Sequence, residues 1–194
     1  MKTARWVAVL VAAAASATCS GARENAGTAA AASAAAATAP GSQVLAQLRG
    51  DWQAQKDTMM KIADAMPEGK FAYKSTPAQR NYGEQIMHVA STNVDLLKVL
   101  AGKAAAPSFT AGSAKTKADI LKALADSYDY GTALLSEQTG ATILEPVADS
   151  PSWLGPASRA RIYWSLLAHT MDIYGQMAVY LRLNGIVPPA SRGV

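Results

Sequence analysis

Apolar side chains recur along this chain at steps of three and four residues, the spacing that lines one face of an α-helix. Val44, Leu48, Trp52, Met59, Ile62 and Met66 form the first such stripe, with Gln55 filling the remaining slot. The stripe predicts a helix over residues 43–66, and Pro67 lies just past its end, where a helix is expected to stop. Residues 68–80 hold Gly69 and Pro77 and read as a structured loop. A second helix is predicted over residues 82–100, with Ile86, Val89, Leu96, Leu97 and Leu100 on its core side and Gly102 closing it. Thr116 and Asp119 have the spacing of a capping box with Asp in place of Glu. They open a third helix through Ile120, Leu124, Tyr128 and Leu135 that stops near Gly140. Three prolines within residues 141–156 mark a connection or lid. A fourth helix is predicted over residues 158–184, punctuated by Gly185 and then Pro188-Pro189.

Four amphipathic helices of about 19–27 residues, one closed off by a long loop, predict an all-α four-helix bundle. Composition agrees. Half of the residues are hydrophobic, much of that alanine, whereas the β-branched and aromatic runs that mark strands are scarce. The 194 residues suffice for one domain with a core and are short for two. The bundle domain is expected over residues 43–191. Residues 22–42 are almost entirely Ala, Gly, Ser and Thr and read as a flexible linker with no core to bury.

The first 21 residues have the order of a secretory signal peptide. Lys2 and Arg5 precede an apolar stretch from Trp6 to Ala17, and small residues follow. That stretch is about 12 residues long, well below the ~20 needed to span a bilayer. Ala15-Ser16-Ala17 offers a small-x-small cleavage site just before Thr18. An extracytoplasmic protein, periplasmic or secreted, with no integral membrane span after processing is therefore expected. Lipid anchoring through Cys19 is the competing reading, although Ser16 and Thr18 stand where a lipoprotein pattern has Leu and Gly or Ala.

Charge narrows the function classes. Of 18 basic residues, Lys2 and Arg5 lie in the signal region, which leaves 16 against 14 acidic ones, and no Lys/Arg cluster is interleaved with aromatics. Nothing points to a nucleic-acid partner. Cys19 is the only cysteine, so the bundle contains neither an intramolecular disulfide nor a catalytic thiol. There is no G-x-S-x-G elbow and no phosphate-binding glycine loop. The aromatics Trp52, Tyr82, Tyr128, Trp153, Tyr163, Trp164, Tyr174 and Tyr180 are expected in the core or at an interface. Met59-Met60 reads as core filler.

The chain has two histidines, His88 and His169. His169 lies on the fourth helix's apolar stripe of Ile162, Leu166, Ile173, Gln176 and Tyr180, and faces the interior or a cleft opening from it. His88 sits at the margin of the second helix's core face, between Gln85 and Thr92. On the residues alone, these read as hydrogen-bonded, partly buried imidazoles in preference to two donors toward one metal ion.

Two segments resemble motifs of the DinB superfamily. One runs STPAQRNYGEQIMHVA from Ser75 to Ala90; the other is HTMDIYGQ from His169 to Gln176, continuing into the tail VYLRLNGIVPP that ends at Pro189. With the Trp52 helix, the similarity extends over roughly residues 43–191. The resemblance implies a four-helix bundle of DinB-like type, often a homodimer, with a divalent transition-metal ion of the Zn/Ni/Fe class near one end. It implies three histidine ligands, one in the second helix and two spaced four residues apart in the last. His88 and His169 match the first two, and Ile173 occupies the position of the third. Residues i and i+4 project from one helix face, so two imidazoles so placed converge on one ion. A neighbouring helix then supplies the third protein ligand and leaves a position open for water or substrate. An isoleucine has no lone pair to donate. Asp172 is the candidate replacement, although its direction differs by about 100° from that of Ile173, and Asp57 or Gln53 on the first helix are further candidates. Arg80 and Arg182 match motif positions that ion pairing or packing would explain.

Two functions remain open. In one, the bundle is an exported, non-catalytic module that holds a small-molecule ligand or partner at a degenerate two-histidine site, with no cofactor. In the other, the family resemblance implies a divalent-metal-dependent hydrolase or thiol transferase using His88, His169 and a replacement third ligand, in which the ion lowers the pKa of water or thiol. Whether the chain is an enzyme stays open between them.

Overall fold

The computed structural model describes residues 39–109, 114 and 116–193; the expected signal peptide, Cys19 and most of the expected linker lie outside the described residues. Four long helices carry the fold: α1 Pro40–Ala65, α2 Tyr82–Leu97, α3 Lys117–Ser136 and α4 Arg159–Leu183. Single 3₁₀ turns follow α1 (Glu68–Lys70), extend α2 (Lys98–Leu100), precede α4 (Thr142–Leu144) and end the chain (Pro189–Ser191). The fold is the all-α four-helix bundle expected from the periodicity. Among the described residues no helix is long and apolar enough to cross a membrane.

Each of α1 and α2 packs on both α3 and α4, so the order around the bundle is α1, α3, α2, α4. Contacts set the directions. Arg49 Nη2 donates to the Leu135 carbonyl at one end of α1, while Lys117 Nζ reaches Asp64 at the other, which makes α1 and α3 antiparallel. Gly83 lies against Ile120 and Asn93 donates to Ser127, so α2 and α3 run parallel. Gln85 meets Gln176 and His88 meets His169, which makes α2 and α4 antiparallel neighbours. This last pairing positions the site.

The core follows the sequence stripes closely. Leu48, Trp52, Gln55, Met59, Ile62 and Met66 of the first stripe are buried, with Leu45 joining them and Val44 half-buried. Trp52 ties three helices together. Its Nε1 donates to the Tyr128 carbonyl at 2.9 Å, and its ring packs on Tyr128 and, edge-on, on Tyr163. A β-carbon on Gly131 would stand 2.4 Å from the indole, so only glycine lets α3 approach this closely. Helix α1 begins at Pro40, ahead of the expected residue 43, because Gly41 is buried in backbone contact with Gly140. Residues 40–42, expected in the linker, are thus part of the helix.

Two of the aromatics expected in the core or at an interface lie outside the core. Trp153 is 71% exposed on the α3–α4 connection and Trp164 is 50% exposed on the outer face of α4, while the remaining aromatics of that set are buried or half-buried. Proline-rich connections and outward helix positions are satisfied by backbone geometry alone, so neither forces its tryptophan inward.

Candidate functional site

Two caps fix the helices that carry the histidines. Asn81 accepts from the Glu84 backbone N–H at 2.8 Å, and Glu84 Oε2 accepts from the Asn81 N–H at 2.7 Å, a reciprocal box that sets the start of α2. Ser158 caps α4 by accepting from the Arg161 N–H. From those starts the two helices run past each other and bring His88 and His169 together. Their Nε2 atoms lie 3.1 Å apart, with ring centroids at 4.9 Å and an interplanar angle of 77°.

A 3.1 Å contact between two ring nitrogens requires that one donate and the other accept. Thr92 Oγ1 lies 3.5 Å from His88 Nδ1, whereas His169 Nδ1 is buried with no partner among the described residues. A buried N–H without an acceptor costs more than an unused lone pair. We therefore assign the proton of His169 to Nε2, donating to His88 Nε2, and the proton of His88 to Nδ1, facing Thr92. Both rings are then neutral. Burial pushes the pKa of His88 down, and the Arg80 guanidinium and His169 add to the effect. Burial is also the largest influence on His169 and lowers it; Asp172 works against that shift and Arg80 with it.

Ile173, one turn beyond His169, is only 3% exposed and belongs to the core. Asp172 is exposed, and its Oδ2 accepts from Gln176 Nε2 at 3.0 Å. Gln176 Oε1 in turn accepts from Gln85 Nε2 at 2.9 Å, so an Asp172–Gln176–Gln85 chain links α4 to α2 beside the histidine pair. Gln53 and Asp57 are exposed on α1 and hydrogen-bond to each other. Among the described residues no group of three or more His, Cys, Asp and Glu side chains converges on one point.

The fit to a metal ion can be judged from these positions. Two nitrogens on one tetrahedral ion at ~2.0–2.1 Å would lie about 3.3 Å apart, close to the observed 3.1 Å between the two Nε2 atoms. Two donors are thus in place, but the third is not. An aliphatic side chain fills the i+4 position, and the Asp172 carboxylate is engaged by a glutamine. The residues present do not complete a three-ligand centre.

Two cavities flank the pair. His88 lines one of about 810 Å³, whose wall also includes Phe71, Arg80, Met87, Phe109 and Ile120. His169 lines a second of about 340 Å³ together with Thr92, Leu96 and the exposed Trp153. Arg80 corrects one expectation: its guanidinium is exposed and has no ion pair or hydrogen bond among the described residues. Arg182 instead reaches the Ser191 hydroxyl at 3.4 Å. The Gln85–Gln176 link was not foreseen, although two glutamines on core-facing stripes are the signal that a buried amide pair leaves in a sequence.

Comparison with known proteins agrees with this architecture. The DinB superfamily model matches residues 51–177. Among solved structures, a DinB-like protein from Bacillus cereus ATCC 10987 superposes with a TM-score of 0.64 at 16% identity, covering 73% of this chain and 93% of that one. The DinB-like protein YjoA from Bacillus subtilis gives 0.57 at 11% identity, over 76% of this chain and 99% of its own. At such identities the likeness is one of fold. No curated protein matches the chain in sequence. With the family model covering well over half of the chain and both histidines, the chain belongs to the DinB superfamily.

Proposed function

We propose that this protein is an exported DinB-like module that holds a small organic molecule beside its histidine pair and does not turn it over. The observation that carries this reading is the direct contact of the two imidazoles, 3.1 Å apart, with a buried isoleucine in the position the third ligand would need. An ion that bridges two histidines must receive both lone pairs. Here one Nε2 is spent as a donor to the other, and the pair satisfies itself. The cavities on either side supply space of the size small-molecule sites use, ~300–1,000 Å³. The signal-like start of the chain supports a location outside the cytoplasm, where a thiol cofactor would be less reliably available than inside.

Metal analysis of untagged full-length protein tests this reading. After dialysis against a chelator, less than a tenth of a zinc, nickel or iron ion per chain is expected. One tightly held divalent ion per chain, absent from a His88→Ala variant, would replace this reading with that of a metal-dependent hydrolase or thiol transferase.

A further inference from the structure

We propose that the larger cavity takes an organic carboxylate with an apolar body, the carboxylate seated on the guanidinium of Arg80. This deepens the small-ligand reading and rests on it. Three charged residues line the cavity, Glu68, Arg80 and Glu84. Both acids are committed. Glu84 closes the cap of α2 through the Asn81 N–H and stands 3.8 Å from Lys74 Nζ. Glu68 accepts from the Lys117 N–H at 3.1 Å. Arg80 alone of the three has no hydrogen-bond or ion-pair partner among the described residues, so the uncommitted donors among the wall's charged groups are those of its guanidinium.

The root of Arg80 is held in place even though its side chain is not. Its carbonyl accepts from the Tyr180 hydroxyl at 2.8 Å, which ties the residue to α4, and Asn81 next to it is the α2 cap. The guanidinium therefore projects from an anchored backbone, beside the neutral imidazole of His88. A planar guanidinium offers a carboxylate two parallel N–H donors, a match that a hydroxyl or an amide cannot reproduce. Apolar side chains make up much of the rest of the wall. Phe71 is buried and packed edge-on against Tyr82, while Met87, Phe109 and Ile120 present partly or largely buried hydrocarbon. A volume of about 810 Å³ leaves room for a hydrocarbon body in addition to the headgroup. The two fixed carboxylates of Glu68 and Glu84 disfavour a dianion, so a monoanionic carboxylate is preferred over a phosphate group.

Titration calorimetry on the full chain tests this with octanoate, octanamide of the same chain length, and inorganic phosphate. Octanoate should bind saturably and about tenfold more tightly than octanamide, with no binding of phosphate. Arg80→Leu should remove that tenfold preference, while Arg80→Lys keeps part of it. Equal binding of octanoate and octanamide, or an Arg80→Leu variant that binds octanoate like the wild type, overturns the carboxylate inference and leaves the small-ligand reading standing. Phosphate binding as tightly as octanoate overturns the need for an apolar body. Binding of none of the three overturns the inference and the small-ligand reading together.

Discussion

Two neutral imidazoles that share one hydrogen bond lose it when the accepting ring, His88, takes up a second proton, because both Nε2 atoms then carry hydrogens. Burial first, and then the neighbouring Arg80 cation, disfavour a second proton on both rings, with His169 adding to the effect at His88 and Asp172 opposing it at His169, and both pKa values lie below the ordinary histidine value of 6.5. The unfolded chain binds these protons near 6.5 and the folded chain binds them only at lower pH. The pair therefore contributes stability that is present above that value and is lost as pH falls below it. Thermal midpoints measured from pH 7.5 down to 5.5 should fall for the wild type and fall less for His169→Gln; equal slopes would refute the neutral pair. At this scale much was legible before the fold was known. Gln55, placed in a hydrophobic stripe by spacing alone, is buried, and His169 does face the bundle interior. The 3.1 Å contact was not legible, because periodicity assigns a residue to a face but carries no information on the register between two helices. The unpaired state of Arg80 was hidden for a related reason. An ion pair depends on which carboxylates the loops bring near, and here those carboxylates are spent on backbone caps.

Helix ends show the same division between local and non-local information. Capping is chemistry within four residues, so it can be read from sequence. The Thr116–Asp119 box expected for α3 forms in both directions. Asn81 and Glu84 carry the same signal for α2 with Asn in the leading position, and that box also forms. The start of α1 could not be read this way, since Pro40 and Gly41 enter the helix through a backbone contact with Gly140, far along the chain. The α2 box matters beyond its own helix, because it holds Arg80 and sets the rotation that aims His88 at α4. Replacing Asn81 by Ala should cost about 1 kcal/mol of stability, the usual value of an N-cap. For a domain of this size that lowers the thermal midpoint by roughly 2–4 °C. Urea unfolding followed by circular dichroism checks it, and a loss below about 0.3 kcal/mol would mean that packing of Tyr82 and Phe71, rather than the cap, sets the start of α2.

Across the whole bundle, the histidine pair and the Gln85–Gln176 link beside it are polar contacts between α2 and α4, helices distant in sequence. A third donor at position 173 would turn the histidine contact into a clamp. Ile173 is buried and one turn from His169, so Ile173→His directs a second α4 imidazole toward the space that His88 already occupies. Without metal the variant should be less stable than the wild type by about 1–3 kcal/mol, because a polar ring replaces a well-packed aliphatic side chain. With zinc the sign reverses. Ions that bind only the folded state stabilise it by roughly 2.7 kcal/mol at a hundredfold excess over Kd, equivalent to a midpoint rise of about 5–10 °C at this chain length. The rise must vanish when His88→Ala is added, since zinc held by α4 alone would not join the two helices. A zinc response that survives His88→Ala would show that the α2 imidazole is not part of the clamp. No zinc response in Ile173→His would show that the rotation of α4 carries position 173 away from the pair, and that the likeness to a three-histidine site ends at the second ligand.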